Sequence, residues 1–398
     1  MFETLQSLNA DPILGLMAAF RADCNPAKID LGVGVYKDSR GRTPVMAAVK
    51  EAETRLLETQ DSKSYVGPAG DADYDELTAR LVLGDALCQQ LQERRCTVQV
   101  PGGCGGLRVA AEFIMKANPR ARIWVSDPTW PNHVPLLGTA GLQIETYPYY
   151  DYDNHVIRFE EMLAALQSAN ANDLLLLHGC CHNPCGADLS ADQWQAVRDL
   201  ALDKGLTVFI DLAYQGLGDG LEEDVYGVRL LAASLPELLV VSSCSKNFGL
   251  YRERVGALTV ICQSGAQRAA VSSQLASIAR GIYSMPPDHG AAIVRIILED
   301  QDLRLSWDRE LTEMRDRING LRATLSSRLA AAGVPDDFSF IRNEKGMFSF
   351  LGIGIPQVQR LIGDYSIYLV DSSRINVAGI NDSNIDYLVD SLIKVLQQ

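Results

Sequence analysis

Five short apolar runs in the middle of this chain of 398 residues restrict its fold more than any other feature. Each run is rich in leucine, isoleucine or valine, as expected for strands that are buried on both faces of a sheet. From about residue 44 to about residue 310 they alternate with helical stretches. This alternation predicts βαβ units and therefore a mostly parallel sheet flanked by helices. The predicted strands are 123–126, 174–177, 208–210, 238–242 and 257–261.

The C-terminal part of the sequence has a different pattern. Between residues 303 and 332 the apolar side chains recur with a period near 3.6, which predicts one long helix. Short strands are expected at 347–351 and 375–377, before a final helix. A chain of this length normally divides into more than one domain, so we expect the long helix to lead into a second one.

The segment 242–254 places a lysine among residues that suit a phosphate group. Lys246 follows Ser243 and Ser245 closely, and Arg254 comes a few residues later. Hydroxyl groups and a guanidinium are good phosphate partners, and an amine in such a setting can form a Schiff base with an aldehyde cofactor. Taken alone, the motif also fits an ordinary surface loop, so its interpretation depends on other segments.

A carboxylate is predicted at the C-terminal end of one buried strand. Asp211 follows the apolar run 208–210, at the edge of an open α/β sheet where ligands bind. There it can pair with the protonated nitrogen of a pyridine ring and keep the ring an electron acceptor. Tyr214 and Asn183 follow two of the strands and can donate hydrogen bonds to an oxygen of the same ring. Considered alone, Asp211 also fits a helix N-cap.

A strand, a glycine-rich turn and an alanine-rich helix are predicted in succession from residue 98 onward. The turn opens with Gly102, Gly103 and Cys104. Backbone N–H groups at the start of such a helix bind anions. Because Arg108 stands where the dinucleotide fingerprint requires glycine, the turn suits a monophosphate better than a pyrophosphate.

Two histidines and three cysteines lie close together in the sequence, which raises the question of zinc. They are His178, Cys180, Cys181, His182 and Cys185. Their spacing does not form the paired C-x-x-C pattern of structural zinc sites, and no matching pair follows elsewhere. We therefore predict no metal, and expect these cysteines to be small buried packing residues.

The overall composition excludes several classes of function. A net charge of −14 argues against nucleic acid or an anionic membrane as a partner. No apolar run reaches the length of a transmembrane helix, and the N-terminus lacks the features of a secretory signal or a transit peptide. Nine cysteines without a framework spacing indicate a reducing cytoplasm.

Together these motifs resemble the class I aminotransferases, and within them the aspartate and aromatic amino-acid aminotransferase subgroup. The resemblance extends from 11–16 and 31–38 through 126–133 to 346–350 and 373–379. It implies an α/β enzyme of fold type I, with a mixed, mostly parallel, seven-stranded sheet in a large domain and a smaller α+β domain. The implied segments are an arm at 1–12, the small domain at 13–43 and 313–398, and the large domain at 44–312.

The resemblance also implies pyridoxal 5′-phosphate as cofactor and assigns residues to it. Lys246 resembles the Schiff-base lysine that also carries a proton, with Asp211 and Tyr214 as its catalytic partners. Trp130 resembles the aromatic residue that stacks on the cofactor ring, and His133 a support for Asp211. The implied cofactor-binding residues are Gly102, Gly103, Cys104, Trp130, Asn183, Asp211, Tyr214, Ser243, Ser245, Lys246 and Arg254, with Tyr65 from a neighbouring subunit.

Substrate binding is likewise implied by the resemblance. Arg374 resembles the residue that binds the α-carboxylate, and Arg280 the one that binds a side-chain carboxylate from across a homodimer interface. Gly34, Trp130 and Asn183 complete the implied substrate site. Amino acids and 2-oxo acids are thus the expected partners, in a composite active site shared by two subunits.

The sequence departs from the family pattern at three positions that bear on specificity. Cys104 and Cys185 replace threonines, and Met285 replaces an asparagine, which makes the pocket less polar. Val35, Lys37 and Thr43 keep the pattern of aspartate-preferring members. We therefore expect ping-pong transfer from aspartate and aromatic amino acids to 2-oxoglutarate. The alternatives are β-lyase, decarboxylase or racemase chemistry on the same fold, or a non-catalytic sensing module.

Overall fold

The computed structural model describes residues 1–7, 12–334 and 336–397. Positions 8–11 of the predicted arm lie outside the described residues, and Pro12 already begins the first helix. Among the helices of the described ranges, none is both long enough and apolar enough to cross a membrane.

The described elements alternate along the chain. The helices are α1 (Pro12–Ala22), α2 (Ala47–Thr59), α3 (Ala72–Leu83), α4 (Asp85–Gln90), α5 (Gly102–Ala117), α6 (His133–Gly138), α7 (Phe159–Leu166), α8 (Ala191–Lys204), α9 (Tyr226–Ser234), α10 (Gly265–Ile282), α11 (Asp288–Glu299), α12 (Gln301–Ala331), α13 (Phe340–Asn343), α14 (Ile355–Tyr365) and α15 (Ile385–Leu396). The strands are β1 (Ile29–Asp30), β2 (Arg95–Pro101), β3 (Arg122–Asp127), β4 (Gln143–Pro148), β5 (Tyr150–Asp151), β6 (Val156–Ile157), β7 (Leu174–His178), β8 (Thr207–Leu212), β9 (Leu238–Ser243), β10 (Val255–Ile261), β11 (Phe348–Phe350), β12 (Ile367–Tyr368) and β13 (Arg374–Asn376).

One sheet of seven strands organises the middle of the chain, in the order β2-β10-β9-β8-β7-β3-β4. Strand β10 runs antiparallel to both of its neighbours, and the other pairings are parallel. All five predicted apolar runs lie within strands of this sheet, which extends them by one or two residues at an end. The predicted mixed, mostly parallel α/β architecture is confirmed.

The sheet forms because its central strands can be covered on both faces. All seven residues of β10 are buried, and so are the four leucines of β7. Helix α5 packs closely because Gly106 has no side chain: a Cβ there would lie 2.7 Å from Cγ1 of Val241. Strand β4 lacks an apolar run since it is a half-exposed edge strand, and the sequence pattern did not reveal it.

The chain divides into two compact units, residues 44–316 and residues 1–43 with 317–398. The first contains the seven-stranded sheet. The second contains a parallel pair, β1 with β12, and an antiparallel pair, β11 with β13. The predicted long helix is α12, and the predicted tail strands are β11 and β13. The division into domains at 312 and 313 stays a prediction.

A buried arginine organises the smaller unit. Arg322 is fully buried, and its guanidinium donates hydrogen bonds to the backbone carbonyls of Ile341 (2.9 Å) and Gly346 (2.9 Å), among others. Glu344 lies 3.6 Å away and is itself almost fully buried. A buried charge is tolerated when it is paired and its hydrogen-bonding groups are satisfied, so this cluster fixes the chain around β11.

Candidate active site

The first turn of α5 forms one wall of an anion site. Gly102 follows β2 directly with φ 72°, so the predicted glycine-rich turn is in fact the first turn of the helix. A Cβ at Gly102 would lie 2.6 Å from Nη2 of Arg254, and one at Gly103 would lie 3.5 Å from Cβ of Ser243. The guanidinium and a serine therefore face backbone N–H groups that have no partner within the helix.

Two buried serines complete this anion site. The backbone N–H of Ser245 donates to Oγ of Ser243 (3.3 Å), and the two hydroxyls are 3.1 Å apart. Arg254 has a left-handed backbone (φ 56°), and its Nη1 donates to the carbonyl of Tyr251 (3.1 Å). These local bonds hold two hydroxyls and one guanidinium in a fixed arrangement that suits a phosphate.

Cys104 belongs to the same helical turn. Its Sγ accepts a long hydrogen bond from Nδ2 of Asn132 (3.9 Å), and it is close enough to Lys246 to influence the charge of the amine. The structure thus places the thiol beside the anion site, where the family pattern has a hydroxyl.

Lys246 is partly buried in the same site. Its Nζ lies 5.0 Å from the ring centroid of Tyr214, which is buried. Burial lowers the pKa of the Lys246 amine, and Arg254 adds to this, although the Asp211 carboxylate opposes it. A neutral amine is a nucleophile and a base, so this environment favours both roles.

Asp211 and His133 form a buried pair behind the lysine. Nε2 of His133 lies 3.0 Å from Oδ2 of Asp211, and His133 is fully buried. Burial would raise the pKa of the Asp211 carboxyl, but the hydrogen bond from His133 and the charges of His133, His178 and Lys246 outweigh it and hold the pKa below its usual value. The site therefore contains an ionised carboxylate where a cationic ring nitrogen can bind.

Thr129 connects this pair to a second imidazole. Its Oγ1 lies 2.8 Å from Nδ1 of His133 and 3.2 Å from Nε2 of His178. An ionised carboxylate can only accept, so Nε2 of His133 carries the hydrogen of its bond to Asp211. Burial lowers the pKa of His178 to about 3. The threonine hydroxyl thus links two imidazoles, one of which contacts the Asp211 carboxylate.

A second layer of side chains surrounds these imidazoles. The ring of His182 lies 4.0 Å from that of His178 and stacks on Tyr149 at 4.2 Å. His182 also contacts Oγ of Ser126 through Nε2 (3.0 Å) and Sγ of Cys185 through Nδ1 (3.1 Å). The sequence motif suggested His178 and His182 only as possible zinc ligands, and their role in this layer was not anticipated. The sequence signal for this role was the position of His178 directly after the apolar run 174–177. In the structure His178 ends β7 and pairs in register with Asp211.

One group of potential metal ligands exists in the described ranges. The ligand atoms of Cys180, Cys181 and Asp224 lie within 4.8 Å of one another. However, the carboxylate of Asp224 already accepts hydrogen bonds from backbone N–H groups in the segment 216–220. The hydrogen bond to Cys181 and burial raise the pKa of the Cys180 thiol well above its usual value. A carboxylate with its lone pairs in use and a protonated thiol are poor metal ligands.

Asn183 and Trp130 lie in the same unit. Oδ1 of Asn183 is buried and has no hydrogen-bond partner among the described residues. A buried polar atom of this kind is costly unless a ligand or water satisfies it. The ring of Trp130 meets that of His133 edge-on, with centroids 5.2 Å apart. Both observations fit a polar aromatic ligand held beside Asp211.

The smaller unit brings together two of the predicted substrate residues. Nη2 of Arg374 donates to the carbonyl of Gly32 (2.9 Å), and its guanidinium carbon lies 4.4 Å from the ring centroid of Phe348. A Cβ at Gly34 would lie 2.8 Å from Cζ of the same phenylalanine. Asn376 fixes this loop further by donating to the carbonyls of Val33 and Val35. Phe348 and Asn376 were not anticipated from the sequence.

Tyr65 and Arg280 are exposed in the single chain. The side chain of Tyr65 is 90% exposed, and Arg280 lies in the last turn of α10, where its Nη1 donates to Oγ of Ser284 (2.7 Å). Their predicted contributions to a neighbouring subunit's site stay predictions.

Comparisons with known proteins identify the family of this chain. Residues 26–392 match the family model described as "Aminotransferase class I and II". The chain is 46% identical to an aspartate aminotransferase of Salmonella typhi over 396 residues, covering 100% of both chains. It is 48% identical to an aromatic-amino-acid aminotransferase of Pseudomonas aeruginosa over 394 residues, covering 99% of this chain and 98% of the relative.

A solved structure provides a third comparison. It is the aromatic-amino-acid aminotransferase of Burkholderia pseudomallei, covalently bound to pyridoxal phosphate. The two proteins are 43% identical with a TM-score of 0.97, and the match covers 100% of this chain and 99% of the other. With the family model matched over most of its length, this chain belongs to the class I and II aminotransferases.

Proposed function

We propose that this protein is a pyridoxal-phosphate-dependent transaminase that moves the α-amino group of aspartate and aromatic amino acids to 2-oxoglutarate. The observation that carries the proposal is a set of three features: Lys246, whose pKa is lowered by burial, the Asp211 carboxylate, whose pKa is held below its usual value, and the adjacent anion site. Membership of the aminotransferase family supports it, and relatives with either substrate class in their names match over nearly the whole chain.

The residues present fit the cofactor. Ser243, Ser245, Arg254 and the first turn of α5 would hold its phosphate, because they offer hydroxyls, a guanidinium and free N–H groups. Asp211 would pair with the pyridine nitrogen. When bound, pyridoxal phosphate supplies an electron sink for the negative charge that develops at the substrate Cα.

The chain's own part in the chemistry is proton transfer and orientation. Since burial disfavours the charged form of Lys246, its Nζ can accept the substrate Cα proton and release it again. His133 holds the Asp211 carboxylate in one position, and Thr129 holds the imidazole of His133. Tyr214 and Asn183, which belong to the same unit, would donate hydrogen bonds to the ring oxygen of the cofactor.

Arginines would select the substrate. The net charge of −14 opposes anionic substrates, so local cations must bind them. Arg374 would bind the α-carboxylate and Arg280 the side-chain carboxylate of a dicarboxylic substrate, each by a bidentate pair. Gly34 has no side chain, so the ring of Phe348, which lies against Arg374, can pack directly on its backbone. Cys104 and Met285 are less polar than the residues of the family pattern at these positions, which supports the additional use of aromatic amino acids.

The proposed assembly is a cytoplasmic homodimer with a composite active site. Tyr65 and Arg280 would come from the neighbouring subunit. Two observations support an interface at these residues. The side chain of Tyr65 is highly exposed, and in α10, which carries Arg280, only Leu275, Ile278 and Ala279 are buried. All nine cysteines are free thiols, which fits a reducing compartment.

A coupled assay tests the proposal directly. Glutamate should form from 2-oxoglutarate with either aspartate or phenylalanine as donor, and the visible spectrum of the holoenzyme should change when the amino acid is added. Lys246→Ala should abolish this activity, whereas Lys50→Ala, at an exposed lysine paired with Glu53, should retain it. Ammonia release without glutamate would instead favour lyase chemistry.

Subunit mixing tests the composite site. Chains carrying Lys246→Ala and chains carrying Arg280→Ala are each expected to lack aspartate activity. A mixed dimer regains one intact site if Arg280 acts across the interface, so activity should return as subunits exchange. Failure to recover activity despite demonstrated exchange would contradict the shared site.

A further inference from the structure

A polar cavity lies at the free edge of the seven-stranded sheet. Helix α3, strand β2 and the N-terminal half of α10 form its walls, and all three belong to the larger unit. Its volume is about 430 Å³, and its described lining includes none of the residues assigned to the cofactor or the substrate. The cavity is therefore separate from the candidate active site. The side chains that matter for its chemistry are Asp75, Glu76, Arg95, Thr97, Arg268 and Ser272.

Arg95 carries a buried donor that no described residue satisfies. Its side chain is only 9% exposed, and its Nη2 bonds to Oε2 of Glu76. Its Nη1 donates to Oγ1 of Thr97 at 3.3 Å. Nε of Arg95, in contrast, is buried and has no hydrogen-bond partner among the described residues. Because a buried donor without a partner is costly, this N–H group indicates a missing acceptor in the cavity.

The free edge of β2 adds a main-chain donor. This strand pairs only with β10, so one side of its backbone faces away from the sheet. On that side the N–H of Arg95 donates to the carbonyl of Leu91 (2.8 Å), and the N–H of Gln99 donates to the carbonyl of Ala69 (2.9 Å). Since alternate residues of a strand point their N–H groups the same way, the N–H of Thr97 also faces outward. Thr97 lines the cavity, and no described group accepts from its N–H.

Helix α10 brings further positive charge to the cavity. Gly265 opens this helix of 18 residues and lines the cavity, so the positive end of the helix dipole lies there. Arg268 follows in the same turn, and its Nε donates to the carbonyl of Arg95 at 2.9 Å. The side chain of Arg268 is exposed, and it forms no ion pair with any described residue. Its two Nη groups are therefore available to a ligand.

The acidic side chains around the cavity do not oppose an anion. Glu76 pairs with both Arg80 and Arg95, so its charge is compensated. Burial raises the pKa of Asp75 to about 9, so its carboxyl group is neutral at neutral pH and can donate a hydrogen bond. Glu93 is exposed at the rim, where water screens its charge. Donors thus predominate among the groups that face the cavity.

We propose that this cavity is a binding site for a phosphate group, held by the guanidinium groups of Arg95 and Arg268 and by the main-chain N–H of Thr97. Guanidinium groups are the usual partners of phosphate oxygens, and the bond from Nε satisfies the buried donor of Arg95. The volume falls in the range of small-molecule pockets, so the source is either free phosphate or the phosphate group of a larger metabolite. The site does not depend on the proposed transaminase reaction.

Calorimetric titration of the holoenzyme tests the proposal, because the bound cofactor then occupies the anion site at the start of α5. Inorganic phosphate is titrated at neutral pH in a buffer without other oxyanions. Arg95→Lys keeps a charge that can pair with Glu76 but lacks the guanidinium, and Arg268→Gln removes an exposed charge with little risk to the fold. Arg158→Gln is the matched control, since Arg158 is an exposed arginine of the same unit that pairs with Glu161.

The wild type should bind phosphate with a Kd of about 1 mM or tighter. Arg95→Lys and Arg268→Gln should each weaken this binding by about tenfold or more, because each removes a charged hydrogen bond. Arg158→Gln should stay within about twofold of the wild type. Glycerol phosphate, titrated in parallel, identifies the source: tighter binding than inorganic phosphate indicates a larger metabolite, and equal or weaker binding indicates free phosphate.

A second variant excludes binding at the proposed substrate site. Phosphate that enters that site would depend on Arg374, so Arg374→Leu should leave the measured binding unchanged. The inference is overturned if the wild type binds no phosphate up to about 10 mM, or if binding is lost in Arg374→Leu and retained in Arg95→Lys and Arg268→Gln. Circular dichroism of each variant confirms that its fold is intact, and Arg268→Gln keeps the test decisive if Arg95→Lys does not fold.

Discussion

The hydroxyl of Thr129 bridges two imidazoles, and its removal should weaken the fold and the activity together. Oγ1 lies 2.8 Å from Nδ1 of His133 and 3.2 Å from Nε2 of His178. Thr129→Val keeps the shape of the side chain and deletes both hydrogen bonds. A buried group left without a partner costs about 1–3 kcal/mol, so two of them lower the free energy of unfolding by about 2–6 kcal/mol. Because Thr129 is only partly buried, we expect the lower part of that range.

The effect on catalysis follows from the support that Thr129 gives to His133. Without the threonine hydroxyl, Nδ1 of His133 loses its hydrogen bond, and the imidazole is held less firmly against Asp211. The carboxylate then loses part of the support that keeps its pKa low. A loss of about 1.4 kcal/mol at this bond corresponds to a tenfold decrease in kcat.

Urea unfolding of the holoenzyme, followed by circular dichroism, measures the first effect, and the coupled glutamate assay measures the second. Thr129→Ser is the matched control, since it keeps the bridging hydroxyl. If the valine and serine variants differ by less than about 0.5 kcal/mol in the free energy of unfolding, and have the same kcat, the bridge has no energetic role.

Three further predictions concern buried charges. Burial raises the pKa of Asp75 to about 9, above its value in the unfolded chain. The wild type therefore loses stability as the pH rises between about 4 and 9. Asp75→Asn should remove this loss, so the stability advantage of the variant over the wild type in urea titrations should grow across that window. Arg322→Met should lower the free energy of unfolding by about 3–5 kcal/mol, because it removes a buried guanidinium that pairs with Glu344 and satisfies the carbonyls of Ile341 and Gly346. Burial lowers the pKa of Lys246 in the folded chain, so the lysine binds a proton more readily in the unfolded chain. Lys246→Met should therefore stabilise the apoprotein near neutral pH, and this gain in stability should shrink as the pH approaches about 10.

Much of the fold was predictable because the central strands are buried on both faces. Strands such as β7 and β10 consist almost entirely of apolar residues, as expected for strands buried on both faces. Strand β4 escaped detection since it lies at an edge and only one of its six residues is buried. The predicted turn at Gly102 proved to be helical, because glycine patterns do not distinguish a loop from the first turn of a helix.

The candidate site was predicted less completely than the fold. The sequence indicated Lys246 and Asp211, which lie at or near strand ends, and the structure places both in one site. His178 and Thr129 were missed, since their importance depends on hydrogen bonds between different strands and loops. Such contacts leave no local periodicity in the sequence.

Three buried carboxylates of the larger unit show why the structure, and not the residue type, decides function. Burial raises the pKa of Asp75 to about 9, and Oδ1 of this carboxyl has no partner among the described residues. Asp188 accepts backbone N–H bonds from Cys181 and His182, and burial raises its pKa only to about 6. At Asp211 the imidazole of His133 and nearby positive charge overcome burial, and the pKa falls below its usual value. Of these three carboxylates, only Asp211 has a pKa below its usual value, which suits a partner for a cationic ring. The substitution His133→Leu should move Asp211 toward the behaviour of Asp75, so its activity loss should be greatest at the lowest pH, where the unsupported carboxylate is protonated first.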